Sequence, residues 1–213
     1  MAGDVSRETF RTALDAGLAE LGLSLPEGAL QKSVELYTLL LEWNRVHNLT
    51  RISDPAEAAC RHFVESWASL VLPGIFDGVS SVADIGSGAG FPGLPLALAR
   101  PDVLFTLVEK APKKAAYLSF VSASLNLRNV SVRNADARHL PDRFDLVTFR
   151  ALTSDDRFIS DLASLLVPAG RLLLFLGPNQ KIPAGFDGLE QDLFLSGKRL
   201  RFALLREEKR SPR

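Results

Sequence analysis

Apolar residues along this chain follow two different periods, and the change falls near residue 75. Before it, Phe10, Leu14, Leu18 and Leu21 recur at helical spacing across 5–21. Leu30, Val34, Tyr37 and Leu41, with Trp43 nearby, do the same across 28–46, and Pro26 and Gly28 punctuate between the two stretches. A third stretch, 55–70, carries Ala58, Ala59, Phe63, Trp67 and Leu70 before Pro73-Gly74 ends it. The spacing predicts helices and no strand over the first 75 residues.

From Val79 the pattern alternates. Strands are predicted at Val79–Ile85, Val103–Val108, Val130–Arg133, Phe144–Phe149, Arg171–Leu176 and Leu200–Leu205, with Phe186–Leu193 ambiguous. Helices are predicted at Pro92–Ala99, Pro112–Leu125 and Ser154–Leu166. Such alternation builds a parallel sheet with helices on both faces, an α/β class. The run Leu172-Leu173-Leu174-Phe175 suits a central strand covered on both sides. The expected organisation is a helical region, 1–75, packed on a sheet core, 76–206, followed by a charged tail, 207–213, that frays.

Composition narrows the classes. The chain has 213 residues, 46% hydrophobic and 23% charged, an ordinary globular balance for one domain with an extension. Cys60 is the sole cysteine, so no internal disulfide forms, and with three histidines a structural zinc site is not expected. No signal-peptide core or run of about 18 apolar residues occurs, which predicts a soluble cytoplasmic protein with no membrane partner. Lys and Arg total 25, as do Asp and Glu; this zero net charge weighs against nucleic acid as partner, although a local patch suffices.

The chemistry concentrates where the first strand ends. The segment Val82-Ala83-Asp84-Ile85-Gly86-Ser87-Gly88-Ala89-Gly90 is a strand running into a glycine turn, which brings a nucleotide-like ligand against bare backbone. A dinucleotide fingerprint starting at Gly86 would need glycine at 91, where Phe91 stands. The pattern Asp-x-Gly-x-Gly-x-Gly, from Asp84 to Gly90, instead resembles the S-adenosylmethionine (SAM) loop of class I methyltransferases. Asp84 can anchor that loop or meet an amino group. Glu109 ends the second strand, 109 − 86 = 23 residues past the first glycine, and can accept both ribose hydroxyls. Asn134-Ala135-Asp136 follow the third strand, where an adenine would lie. The plainer readings are a tight βα turn, a solvated Glu109, and Asp136 as a helix cap.

A wider series then aligns. Asn48-Leu49-Thr50, Arg61-His62, Glu65-Ser66, Phe91-Pro92-Gly93-Leu94-Pro95, Lys113-Lys114 and Phe149-Arg150-Ala151 occur in order. The chain resembles, over about residues 30–205, the RsmG (GidB) family of bacterial methyltransferases acting on N7 of a guanine in 16S ribosomal RNA. The resemblance implies a Rossmann-like, mostly parallel seven-stranded class I methyltransferase sheet with a helical N-terminal extension. It implies SAM as cofactor, held by Asp84, Gly86, Ser87, Gly88, Gly90, Phe91, Glu109, Ala135, Asp136 and Arg150. It places Asn48, Lys113, Arg150 and Arg199 around the pocket mouth, with Arg150, Asn48 and Lys113 as the catalytic set. Lys113, Lys114, Arg199 and Arg201 would grip RNA, and the partner would be 16S ribosomal RNA or the small subunit, met by a monomer. Two positions depart from the family: Leu176 stands where Lys is usual, removing a cation, and Glu65 where Asp is usual.

Guanine N7 has an in-plane lone pair and no proton, so no general base is required. Arg150 is assigned to guanine O6, a phosphate or the cofactor carboxylate, and not to N7, which a donor would block. The plain alternatives are a solvated Lys113-Lys114 face, Arg150 paired with Asp155 or Asp156, and Asn48 as a cap. His62 reads as a surface or second-layer residue, Trp43 and Trp67 as core, and Cys60 as a small buried hydrophobe. Competing functions are a small-molecule or protein methyltransferase and a non-catalytic SAM- or RNA-binding module.

Overall fold

The computed structural model describes residues 2–150, 156–177, 179–183, 185–195 and 198–206. Ala151, Ser154, Asp155 and the 207–213 tail, on which some expectations rest, lie outside the described residues. Helices α1 (Ala2–Leu21) and α2 (Ala29–His47) pack through aromatic contacts: Phe10 stacks on Tyr37 at 4.1 Å and meets Phe63 edge-on at 5.2 Å. The predicted third helix is not one regular helix. It runs as α3 (Pro55–Ala58), a π-helix (Ala59–Val64), α4 (Glu65–Trp67) and a 3-10 turn (Ala68–Val71). Side chains compete for its carbonyls. Ser66 Oγ donates to His62 O at 2.6 Å, Ser69 Oγ to Ser66 O at 2.8 Å, and Arg150 Nη1 to Arg61 O at 2.7 Å. Periodicity alone cannot register such bonds.

The strands are β1 (Ser81–Ile85), β2 (Leu104–Val108), β3 (Val130–Arg133), β4 (Phe144–Arg150), β5 (Leu166–Leu176), β6 (Asp187–Leu195) and β7 (Lys198–Arg206). They form one sheet in the order β3-β2-β1-β4-β5-β7-β6. Strands β1 to β5 pair in parallel, and β7 pairs antiparallel with both β5 and β6. The ambiguous Phe186–Leu193 segment is thus largely a strand. Strand β5 starts at Leu166, ahead of the expected Arg171, through a pairing with Phe144 that shifts register before Leu146. Pro168 and Ala169, the latter at φ 66°, sit in that irregular stretch and hide it from a strand pattern. Helices α5 (Gly93–Ala99), α6 (Pro112–Ser124) and α7 (Asp156–Ala163) connect the strands.

Each sheet face buries its own apolar set. Val82, Phe105, Leu107, Leu146, Leu173 and Phe175 join the core that contains Phe10, Leu36, Phe63 and Trp67. Ala83, Ile85, Val147, Phe149, Leu172 and Leu174 pack with Ile159 and Leu162 of α7 on the other face. The N-terminal helices therefore share a core with the sheet, and Trp67 Nε1 donates to Pro95 O of α5 at 2.9 Å. Trp43 packs against the core from a half-buried position between Tyr117 and Phe120, and Cys60, expected to be buried, is half-buried. Among the described residues no helix is long and apolar enough to cross a membrane. Strand order reverses between β1 and β4, so a crevice opens at their carboxyl ends, where open α/β sheets bind ligands.

Candidate active site

The glycine loop fills that crevice. Beyond Ile85 the chain turns back on β2, with Gly86 N and Ser87 N donating to Val108 O at 2.8 and 3.1 Å. Gly90 has φ 94°, and a Cβ there would lie 2.3 Å from Leu94 Cδ1. At Gly93 a Cβ would lie 2.4 Å from Leu107 Cδ2 and 2.6 Å from Asp84 Oδ2, so α5 reaches β1 only because 93 lacks a side chain. Asp84 is 1% exposed and its Oδ2 accepts from Gly93 N at 3.1 Å. Of its two expected roles, loop anchoring is the one this bond performs. Its Oδ1 is buried without a hydrogen-bond partner. Burial pushes the carboxyl up to about 7, against the opposing pull of the Gly93 amide.

Glu109 is also buried, and its carboxylate joins two loops. Oε2 accepts from Gly88 N at 3.0 Å and Oε1 from Ala111 N at 2.8 Å. Asn134 Nδ2 adds the third loop, donating to Glu109 O at 2.8 Å and Lys110 O at 3.1 Å. Sequence alone does not reveal this role of Asn134; its position directly after β3 is the signal that marks it. Asp136 caps the short 3-10 turn Ala137–His139, accepting from Arg138 N at 3.1 Å and pairing with the Arg138 guanidinium at 2.7 Å. That guanidinium holds the carboxyl well below the usual range. The helix-cap alternative therefore describes Asp136 as it stands, with Ala135 half-buried beside it.

These groups fit an aminoacyl nucleoside. The exposed Gly86 and half-buried Gly88 offer backbone without Cβ obstruction, Glu109 offers acceptors for a diol, and the orphaned Asp84 Oδ1 faces no protein donor. Glu109→Ala is expected to weaken SAM binding by about 1.5–3 kcal/mol, roughly ten- to a hundredfold, because a charged acceptor and the loop tie vanish together. Calorimetry returning the wild-type dissociation constant would remove Glu109 from the site.

Arg150 stands on the same crevice. It follows Phe149, whose register partner is Ile85, so it lies across from Gly86. Its fork is engaged by the helical region: Nη1 donates to Arg61 O at 2.7 Å and Nη2 pairs with Glu65 Oε2, while the guanidinium lies 5.9 Å over the Phe175 ring. Among the described residues, Glu65 is the acid that pairs with Arg150; Asp155 and the Asp156 side chain, the other expected partners, lie outside them. Glu65 also lies 3.9 Å from Arg61 Nε.

His62 was expected at the surface or in a second layer, and the structure makes it a connector. Its ring stacks on Phe91 of the glycine loop at 4.3 Å and 10°, and Nε2 lies 3.0 Å from Thr50 Oγ1. Burial, then the Arg150 and Arg61 charges, lower its pKa to about 3, so the imidazole is neutral at physiological pH. Thr50 is fixed in turn, its N–H on Asn44 Oδ1 at 2.9 Å and its Oγ1 accepting from Ile52 N at 3.1 Å. Within Asn48-Leu49-Thr50, then, Thr50 reaches the site, while Asn48 is an exposed left-handed C-cap of α2 at φ 48°.

The basic residues are divided. Lys113 is exposed and Lys114 half-buried in the first turn of α6, next to the Ala111 amide that Glu109 holds. Arg199 and Arg201 alternate with Leu200 and Phe202, which join the core on the Phe175 side, so they occupy the opposite sheet face from Arg150. Arg201 donates to Gln180 O at 2.9 Å. Leu176 pairs in register with Arg201, so a cation sits one strand away from the position where the resemblance expects lysine.

Comparison with known proteins agrees with this geometry. The family model described as rRNA small subunit methyltransferase G (GidB) matches residues 29–205. The chain is 40% identical over 188 residues to the ribosomal RNA small subunit methyltransferase G of Aromatoleum aromaticum (strain DSM 19018 / LMG 30748 / EbN1), covering 83% of this chain and 88% of that protein. It is 42% identical over 173 residues to the protein of the same name from Anaeromyxobacter sp. (strain Fw109-5), covering 79% of each. In fold it is similar to a SAM dependent methyltransferase from Aquifex aeolicus, with TM-score 0.57 at 18% identity over 75% of this chain and 97% of that one. A glycine loop at the β1/β4 crevice, acids closing the loops behind β2 and β3, and this extent of shared sequence lead to one conclusion: the chain belongs to the rRNA small subunit methyltransferase G (GidB) family.

Proposed function

We propose that this chain transfers a methyl group from SAM to N7 of a guanine in 16S ribosomal RNA. One observation carries the reading beyond the fold: the helical stretch bearing His62 and Glu65 joins Thr50 and the glycine-loop residue Phe91 through His62, and Arg150 through Glu65. Bound SAM supplies an electrophilic methyl group on a sulfonium. Guanine N7 brings its own lone pair and carries no proton, so the chain acts by orientation and charge and needs no general base. Gly86, Ser87, Gly88, Gly90 and Phe91 would hold the cofactor together with Asp84, Glu109, Ala135 and Asp136. His62, neutral and stacked on Phe91, positions the loop and moves no proton. Arg150 offers donors to guanine O6 or a phosphate and leaves N7 clear. Lys113 and Lys114 meet phosphates at the mouth, Asn48 borders it, and Arg199 and Arg201, on the far face of the sheet, add further phosphate contacts. The reading includes a monomer working in the cytoplasm on 16S RNA or the small subunit.

The experiment is mass-spectrometric mapping of 16S ribosomal RNA from cells lacking the protein. One 7-methylguanosine should disappear and return with the wild-type gene; an unchanged map overturns the reading. Binding of the RNA should also weaken linearly with log salt, with a slope of about −2 if three phosphates of a single strand are gripped. A flat response would point to a small substrate.

A further inference from the structure

Glu65 is left without a task by the chemistry above, yet it is built into the site with care. Its carboxylate is 17% exposed, paired with Arg150 and flanked by Arg61 Nε at 3.9 Å. It lies on α4 directly after the π-helix, whose widened turn places Arg61 O on Arg150 and His62 on Phe91. Local π geometry of this kind is common at functional sites.

The Arg150–Glu65 pair presents a definite hydrogen-bond pattern: guanidinium donors beside two carboxylate acceptors. The Watson–Crick edge of guanine presents the complement, with the O6 acceptor beside the N1–H and N2–H donors. Adenine offers a donor, an acceptor and a bare C2–H along the same edge, so it mismatches. The N7 lone pair lies on the other side of O6. A reader of the Watson–Crick edge therefore grips the base firmly while leaving the reacting nitrogen uncovered. A cation gripping the N7 edge cannot do so. A carboxylate accepts at about four lone-pair positions, so arginines can orient it while it receives further donors.

We infer that Glu65 is the guanine-specificity determinant of this enzyme, accepting N1–H and N2–H while Arg150 serves O6. The inference rests on the proposed transfer to guanine N7. It also explains why an acid stands here in direct contact with the arginine that serves the substrate: the two act as one recognition unit.

Inosine tests it, since it keeps O6, N1–H and N7 and lacks only the 2-amino group. Small subunits reconstituted with guanosine or inosine at the methylated position serve as substrates for the full-length wild type and for Glu65→Gln, with kcat/KM measured on each. The wild type should prefer guanosine roughly ten- to a hundredfold, the range for a lost hydrogen bond to a charged acceptor. Glu65→Gln should lose a similar factor on guanosine and bring the two substrates within about threefold of each other, because its amide NH2 opposes one guanine donor and tolerates inosine. SAM affinity should stay at the wild-type value. A wild type that treats both bases alike overturns the inference, as does a variant that loses both activities in the same proportion, since Glu65 would then merely hold Arg150. Should Glu65→Gln fail to fold, the wild-type ratio decides alone. Absence of guanosine methylation by the wild type overturns the proposed function itself, which separates the two failures.

Discussion

Arg150→Ala is expected to lower methyl transfer at least about a hundredfold while leaving SAM affinity within about threefold, the effect of deleting a positioned donor that acts on the reacting base. The arginine lies across from Gly86 and holds both Arg61 O and Glu65, so its loss also removes an ion pair from a mostly buried carboxylate. The lost ion pair should cost about 1–3 kcal/mol of stability. For a chain of this size the midpoint of thermal unfolding should fall by about 2–4 °C per kcal/mol. Arg150→Lys separates the two roles: it keeps the charge for Glu65, without the planar fork that spans two acceptors, so it should recover stability more than activity. Single-turnover methylation, with calorimetry for SAM, makes the comparison. Wild-type turnover in Arg150→Ala would remove the residue from the reaction.

Gly90→Ala should be among the most damaging single changes in the cofactor loop. The backbone there has φ 94°, and a new Cβ would lie 2.3 Å from Leu94 Cδ1 and 3.2 Å from Leu118 Cδ2. Backbone strain of about 1–3 kcal/mol and overpacking of about 1–3 kcal/mol act together. Gly88 provides the control. Its φ of 58° is also left-handed, but the nearest atom to a Cβ would be Gly86 O at 3.7 Å. Gly88→Ala should therefore cost only the left-handed strain, about 1–2 kcal/mol. Thermal unfolding of the two variants should rank Gly90→Ala well below Gly88→Ala; equal midpoints would refute the packing argument. SAM binding should fail more completely in the less stable variant, because Gly90 is where the loop closes onto α5 through Leu94 N and Gly90 O at 2.7 Å.

The glycine-loop end of the candidate site was legible because its pattern is local. Strand, glycine turn and helix start are consecutive, and a parallel sheet brings the carboxyl ends of β1, β2 and β3 together once its strands are recognised. Asp84, Glu109 and Asn134-Ala135-Asp136 could be named from that rule alone. Their partners could not. A ribose-facing acid and a loop-tying acid look the same in sequence, and only the Gly88 and Ala111 amides on Glu109 show the second role. Asp136 read equally well as cap or ligand, and Arg138, two residues on, decides what it does here. The Arg150 end of the candidate site was less legible. Arg150 and Glu65 are 85 residues apart, and no period or spacing connects an acid on a helix to an arginine at a strand end. His62 was undervalued for the same reason, because the ring it stacks on belongs to a different segment.

By itself the sequence determined the α/β alternation, the helical N-terminal region, the glycine loop and the residues that stand at strand ends, because backbone propensity and hydrophobic period are properties of neighbours along the chain. Tertiary structure decided the rest. It broke the third helix into a π-turn where side chains took its carbonyls, and it began β5 five residues early through pairing with Phe144. It gave Arg150 to Glu65, and set Arg199 and Arg201 on the far face of the sheet. Those outcomes depend on which surfaces meet when the core closes, and partner choice among charged groups follows from distance and burial, which only the folded chain defines.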